Sequence, residues 1–456
     1  MPDEFRIVHP EQRKKRGVLP ALLLGGAAAL LAAGGYVAGR SIAQGTPPLE
    51  SSPVLVAPHT PRPSLAPSAT PAPTESSQAG VPAAQSTSTP EFREVETRRL
   101  TSVLGLELAP AISGGSAAFY HTTVEQVVRY GVVQQDPTGL LGFILGNKQP
   151  VYTVGTVDLA DGTTGALLGN TFPIPGIDTI VERMFSGAMS LGDFSAEFPA
   201  GASYSPDGSH LFFVAGGKPA LVDFAAGTAA AIAPEGDVAS AAWSPDGALA
   251  LAMDGTVSIY NLEGQTLTLI APGEDAQWLD ADRLILASNG ELFLYDGQLT
   301  LLGSGMSPAV SSSGTLAYFV PRDGLHELRL AEIRDGALVN DRAYLQNVLR
   351  PVARFSPDGR VLAVPGNQGS IELYAAGAHL GSVPATDGAL VGDFAWASNS
   401  AIVSEMHTLD SAALERLLAA KDNPSAALSD IDAALQDTNN ILQVDLYIST
   451  LDYTLP

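Results

Sequence analysis

The chain of 456 residues contains no cysteine. This excludes a disulfide framework, a thiol nucleophile, a thiolate metal site and a lipid-modified N-terminal cysteine. Basic side chains are scarce too, 24 Lys and Arg against 48 Asp and Glu, for a formal net charge of −24. The deficit is uneven: residues 1–44 carry +3, residues 45–90 carry −1, and the remainder carries −26. A domain this acidic is repelled by nucleic acid and by anionic membrane surfaces. Neutral glycans, basic or polar proteins and cations are left as expected partners.

Signatures of catalysis are missing as well. There is no G-x-S-x-G elbow, HExxH pair, P-loop or EF-hand loop, and no run of sialidase-type S-x-D-x-G-x-T-x-W boxes. The seven histidines, at 9, 59, 121, 210, 326, 379 and 407, stand one per region. His121 ends an apolar run and His407 follows Glu405; both are expected at the surface or in loops. Two acidic turns, Asp158 with Asp161 and Asp280 with Asp282, hold too few carboxylates for a hard cation and read as turn caps. No catalytic residue, metal ligand or cofactor site is expected.

What the chain does contain is a recurring phrase. Tyr204-Ser205-Pro206-Asp207-Gly208, Trp243-Ser244-Pro245-Asp246-Gly247 and Phe355-Ser356-Pro357-Asp358-Gly359 each precede an apolar, strand-like run. Proline suits position i+1 of a type I turn, serine at i bonds the turn's own backbone, and glycine supplies the positive φ. The phrase therefore predicts a hairpin turn, with the aromatic ending the incoming strand. Looser copies begin at Trp278, Val310 and Trp396, so the six anchors are spaced 39, 35, 32, 45 and 41 residues apart. A weaker seventh copy is Ile112-Ser113-Gly114-Gly115-Ser116. Second hairpins, such as Val257–Tyr260 followed by Thr266–Ile270, give four short strands about every forty residues.

Aromatic-Ser-Pro-Asp-Gly followed by an apolar strand resembles the bacterial WD40-like, or TolB-type, propeller repeat, across roughly residues 100–456. The resemblance implies an all-β fold, a β-propeller of seven blades with six or eight as alternatives, and a role in binding other molecules. It implies no particular activity, because this fold hosts many. The Trp-Asp dipeptide of eukaryotic WD40 repeats is missing from the expected strand ends.

Ahead of the repeats, Arg13-Lys14-Lys15-Arg16 introduces 23 residues without charge, Gly17 to Gly39. That length spans a bilayer as a helix, and the basic cluster keeps its end cytoplasmic. The expected layout is a cytoplasmic tail (1–16), a signal-anchor helix (17–39), a Pro/Ser/Thr-rich stalk (40–94) and an extracytoplasmic propeller (95–456). A cleaved signal peptide ending at Ser41-Ile42-Ala43 is the alternative, which would make the domain secreted. Proline-rich chain advances ~3.1 Å per residue, so residues 45–90 reach on the order of 140 Å when extended.

Three stretches depart from the repeat: 121–150, 169–199 and 408–438. In the last, Leu409, Ala412, Ala413, Leu417 and Ala420 recur at helical spacing, and Pro424 divides them from a second such run, predicting a helical hairpin. Insertions on a rigid scaffold commonly carry recognition, which nominates Met184, Phe185, Leu414 and Leu418 as apolar contacts. The strand-like end 441–448 is expected to close the ring with Val95–Leu108. The resulting expectation is an envelope module that binds protein or glycan without catalysis. The alternative is a propeller enzyme of the glycan hydrolase, lyase or lactonase type, using central-channel carboxylates.

Overall fold

The computed structural model describes residues 91–102, 105–123, 130, 149–174, 176–185, 201–366, 369–386, 389–409 and 442–455. The chain opens with β1 (Glu91–Arg99), β2 (Leu106–Ser113), β3 (Ser116–Thr122), β4 (Val151–Asp158), β5 (Thr164–Ala166), β6 (Phe172–Pro173) and the helix α1 (Ile177–Phe185). Four-stranded meanders follow. The first is β7 (Ser203–Tyr204), β8 (His210–Ala215), β9 (Lys218–Asp223) and β10 (Thr228–Ala231). The second is β11 (Val238–Trp243), β12 (Leu249–Met253), β13 (Thr256–Asn261) and β14 (Thr266–Pro272). The third is β15 (Asp275–Trp278), β16 (Leu284–Ser288), β17 (Glu291–Tyr295) and β18 (Leu299–Ser304). The fourth is β19 (Met306–Val310), β20 (Thr315–Arg322), β21 (Leu325–Arg334) and β22 (Ala337–Val348). The fifth is β23 (Arg354–Phe355), β24 (Val361–Pro365), β25 (Ile371–Ala375) and β26 (Ala378–Val383). β27 (Ala389–Ser398), β28 (Ala401–Leu409) and β29 (Leu442–Thr454) end the chain.

Each meander is its own antiparallel sheet, while the two ends of the chain share a nine-stranded one, ordered β27-β28-β29-β2-β3-β4-β5. Within it β1 runs antiparallel to β29, from Arg99 opposite Tyr447 to Glu91 opposite Thr454. β2 meets β29 only at a parallel bridge, Leu106 opposite Val444. The first strands pack in sequence, β2 on β7, β7 on β11, and so on to β23 on β27, and β27 returns to β2. This is a β-propeller. An apolar layer fills every seam between neighbouring sheets, as with Phe212, Val214, Leu249 and Leu251 between the first two meanders. Strands covered on both faces read as near-continuous Ala, Leu and Val runs for this reason.

The recurring phrase forms the expected turn. Ser244 donates to Asp246 at 2.5 Å, accepts the Ala248 amide at 2.8 Å, and its carbonyl takes the Gly247 amide at 3.0 Å. Gly247 sits at φ 90°, where a side chain would be strained. Ser205 and Ser356 repeat the arrangement, and all three serines are buried. The aromatic does more than end its strand. The indole N–H of Trp243 donates to the Ser203 carbonyl, that of Trp278 to Ala242, and that of Trp396 to Arg354, each at 3.0 Å. In every case the acceptor lies in the first strand of the preceding sheet. The residue spacing of the repeat is thus also the span of an inter-sheet hydrogen bond.

Candidate functional site

All Ser-Pro-Asp-Gly turns join the first strand of a sheet to its second, and so lie on one face of the ring. The second-to-third hairpins and the links between sheets lie on the other face. The chain leaves β3 at Thr122 and re-enters β4 at Val151, leaves β28 at Leu409 and re-enters β29 at Leu442, and passes from β6 to β7 through α1. All three departures from the repeat therefore rise from this second face, hereafter the stem face, and from adjoining parts of the ring. Strand β3 already covers His121 and Thr122, so the first departure begins later than its sequence signature. Thr408 and Leu409 likewise end a strand, because they pair with Gln443 and Leu442. The helical pattern starting at Leu409 is corrected there; the rest of 410–441 lies outside the described residues, as do Leu414 and Leu418. Met184 and Phe185 fall in the last turn of α1, a helix the sequence reading had not placed. α1 is tied to the first insertion by the Tyr130 hydroxyl, which donates to Asp178 at 2.8 Å.

Beneath these stems lies a polar cluster on the seam where the chain ends meet. Glu405 on β28 is fully buried and accepts the backbone amide of Ala109 at 2.6 Å and that of Asp393 at 3.1 Å. Its second oxygen also lies 2.9 Å from His407 Nε2. Both donors sit where a first strand breaks register, β2 between Leu108 and Ala111 and β27 between Val391 and Phe394. Ala109 holds a left-handed φ of 54° there, and such bulges re-aim backbone groups. One carboxylate thus holds the first strands on either side of the closing seam. Burial pushes the Glu405 carboxyl up, but the His407 bond and charge and the two amides outweigh it and hold it below the usual range.

Glu107, the register partner of His121, behaves oppositely. It is fully buried, takes a hydrogen bond from the Thr101 hydroxyl, and has its other oxygen 3.8 Å from His121 Nδ1. Burial, reinforced by nearby Asp445, pushes its carboxyl up to about 8 against the pull of Thr101 and Arg99. Asp445 is raised by burial too, although Arg99 donates to it at 2.6 Å. His121 is lowered by burial. Gly392 completes the packing: a Cβ there would stand 2.1 Å from His407 Nε2 and 2.4 Å from Glu405 Oε2.

His407 is therefore a buried strand residue, which corrects its expected place at the surface or in a loop; His121, half-buried, is also on a strand. Sequence reading missed Glu107 and Glu405, though a signal was present: Glu107 is a carboxylate inside the largely apolar run LELAPAIS, and Glu405 follows the apolar start of AIVSEMHTL. Chemically, burial favours the neutral form of Glu107, hydrogen bonds and His407 favour the ionised form of Glu405, and neither side chain has surface open to solvent. The two acidic turns do cap themselves, Asp158 taking the amides of Ala160 and Asp161, and Asp280 those of Asp282 and Arg283. Among the described residues no three His, Asp or Glu gather as a metal site. Around the cluster the stem face carries two exposed leucines, Leu349 and Leu390. Among the described residues no helix is long and apolar enough to cross a membrane, and residues 17–39 lie outside them.

No protein-family model and no curated relative matches the chain. Among solved structures, a chain in the crystal structure of the mitotic checkpoint complex is 20% identical, over 47% of this chain and 74% of its own, at a TM-score of 0.38. The tricorn protease is 14% identical, over 67% of this chain and 30% of its own, at 0.36. This chain thus spans under a third of the tricorn chain. Likenesses this distant add nothing to the fold assignment, which rests on the strand order and the closed ring.

Proposed function

We propose that the protein is a membrane-anchored, extracytoplasmic propeller of seven blades that binds an envelope protein or glycan through its stem face, without bond chemistry. Counting the nine-stranded sheet as two blades, β27-β28-β29-β1 built from both chain ends and one that begins with β2-β3-β4-β5, gives the seven. The observation that carries the binding reading is the gathering of three long departures on one face of a ring whose other connections are short. A closed ring needs no cap, so extra chain concentrated on adjoining blades is best explained by recognition. Exposed Leu349 and Leu390 add apolar surface to that face. Met184, Phe185, Leu414 and Leu418 are the contacts we assign to the partner.

The test is in-cell photocrosslinking of the full-length chain. A photoreactive residue is placed in turn at those four positions and, as a control, at Asp246, exposed on the turn face. The reading expects one dominant adduct from the stem positions and none from Asp246. Equal labelling from both faces, or labelling from Asp246 alone, would overturn it.

A further inference from the structure

The last strand of each meander ends its sheet on the outside of the ring, and a bare edge presents unpaired amides and carbonyls to any passing strand. Proteins commonly blunt such edges with charge. β22 does so with Asp341 and Arg342, and β1 with Glu91, Arg93 and Glu96. β14 and β18 do not. Their sequences, TLTLIAP and LTLLGS, contain no charged residue. They also expose leucine in pairs two residues apart, Leu267 with Leu269 and Leu299 with Leu301, with Leu269 66% and Leu301 55% accessible. Residues i and i+2 share a face, so each pair makes an apolar track along its edge.

The surroundings give these tracks a sign. Exposed carboxylates bracket each strand: Glu263 precedes and Glu274 follows β14, while Asp296 precedes β18 and Glu291 lies opposite its last residue, Ser304. Across residues 238–304 nine Asp and Glu meet a single Lys or Arg, Arg283. That arginine is bonded to Asp280 at 2.6 Å. We propose that β14 and β18 form a docking surface for an extended, cationic segment of a partner protein. The segment adds as an outer strand to one of these edges, with its apolar side chains on the leucines and its Lys or Arg among the flanking carboxylates. Backbone pairing gives such strand addition its affinity, and the alternate side chains give its selectivity.

The probes are a capped heptapeptide alternating Lys and Val, its Glu/Val counterpart, and a Lys/Val version with two prolines. Each is titrated onto the full-length chain held in nanodiscs of zwitterionic lipid. The proposal expects the Lys/Val peptide to bind at least about tenfold more tightly than either control, and more weakly as salt rises. Leu269→Lys with Leu301→Lys should remove that advantage while leaving the thermal midpoint unchanged, because both positions are exposed. Equal binding to this variant, or equal binding of the proline peptide, would overturn the proposal. So would a concentration-dependent dimer that the variant abolishes, since the occupant would then be a second copy of this chain.

Discussion

Two kinds of seam hold this ring together. Between consecutive sheets the seam is an apolar layer, to which Trp243, Trp278 and Trp396 each add one indole N–H reaching back to a carbonyl, as Trp278 does to Ala242. The closing seam has a similar layer, including Leu100, Phe119, Val403 and Leu446, and adds the buried polar set of Glu107, Thr101, Glu405, His407 and Asp445. Ordinary seams join segments adjacent in sequence, so their closure costs little chain entropy. The closing seam must join residues some 300 positions apart, and loop entropy rises with that separation. Directional, charge-assisted bonds also specify one register, where apolar side chains alone would tolerate several. The difference suggests that the place where a ring is hardest to close is where geometry is most tightly prescribed.

That contrast can be broken at several points. Truncation after Asn439 removes β29, and with it the partner of β1 and β28. We expect no cooperative thermal transition at all; one surviving within a few degrees of the intact protein would mean that the ring does not depend on this seam. Glu405→Ala should cost about 3–5 kcal/mol by urea unfolding, because it removes the buried carboxylate that His407 and the Ala109 and Asp393 amides bond. A loss below about 1 kcal/mol would make the closing seam equivalent to the others.

The pH range also differs between the seams: burial raises Asp275, in the seam of β11 with β15, to about 6, and Glu107, in the closing seam, to about 8. In the unfolded chain Glu107 ionises near its ordinary 4.5, whereas in the folded protein it keeps its proton to about 8. The folded state therefore holds a proton that the unfolded state has released, and stability falls as pH rises from about 4.5 to about 8. Glu107→Gln should flatten this slope, gaining on the order of 4 kcal/mol at pH 8 and nothing at pH 4. An unchanged slope would place the titration elsewhere. The smallest effect belongs to an ordinary seam: Trp278→Phe removes one donor from the Ala242 carbonyl and should cost about 1–2 kcal/mol, leaving the pH slope contributed by nearby Asp275 unchanged. A pH-dependent loss there would erase the distinction.

How much of this was legible beforehand differs by element. The turn phrase announced its own hydrogen bonds, because Ser, Pro, Asp and Gly act within five residues of each other. Its aromatic was legible as a strand end only; that Trp243, Trp278 and Trp396 bond the neighbouring sheet required two sheets to be placed side by side. The sequence places His407 at the surface or in a loop because one histidine shows nothing of what stands across from it. Glu107 and Glu405 lie 298 positions apart, and no local pattern relates them.

By itself the sequence determined the repeat, the four-stranded unit, the acidic surface and the apolar stretch at 17–39, since each rests on spacing or composition within tens of residues. Only the tertiary structure decided that β1 and β29 share one sheet, that three insertions rise from one face, and that Glu405 clasps both sides of the closing seam. Those facts depend on ring closure, which brings distant residues within hydrogen-bonding range and leaves no trace in local periodicity.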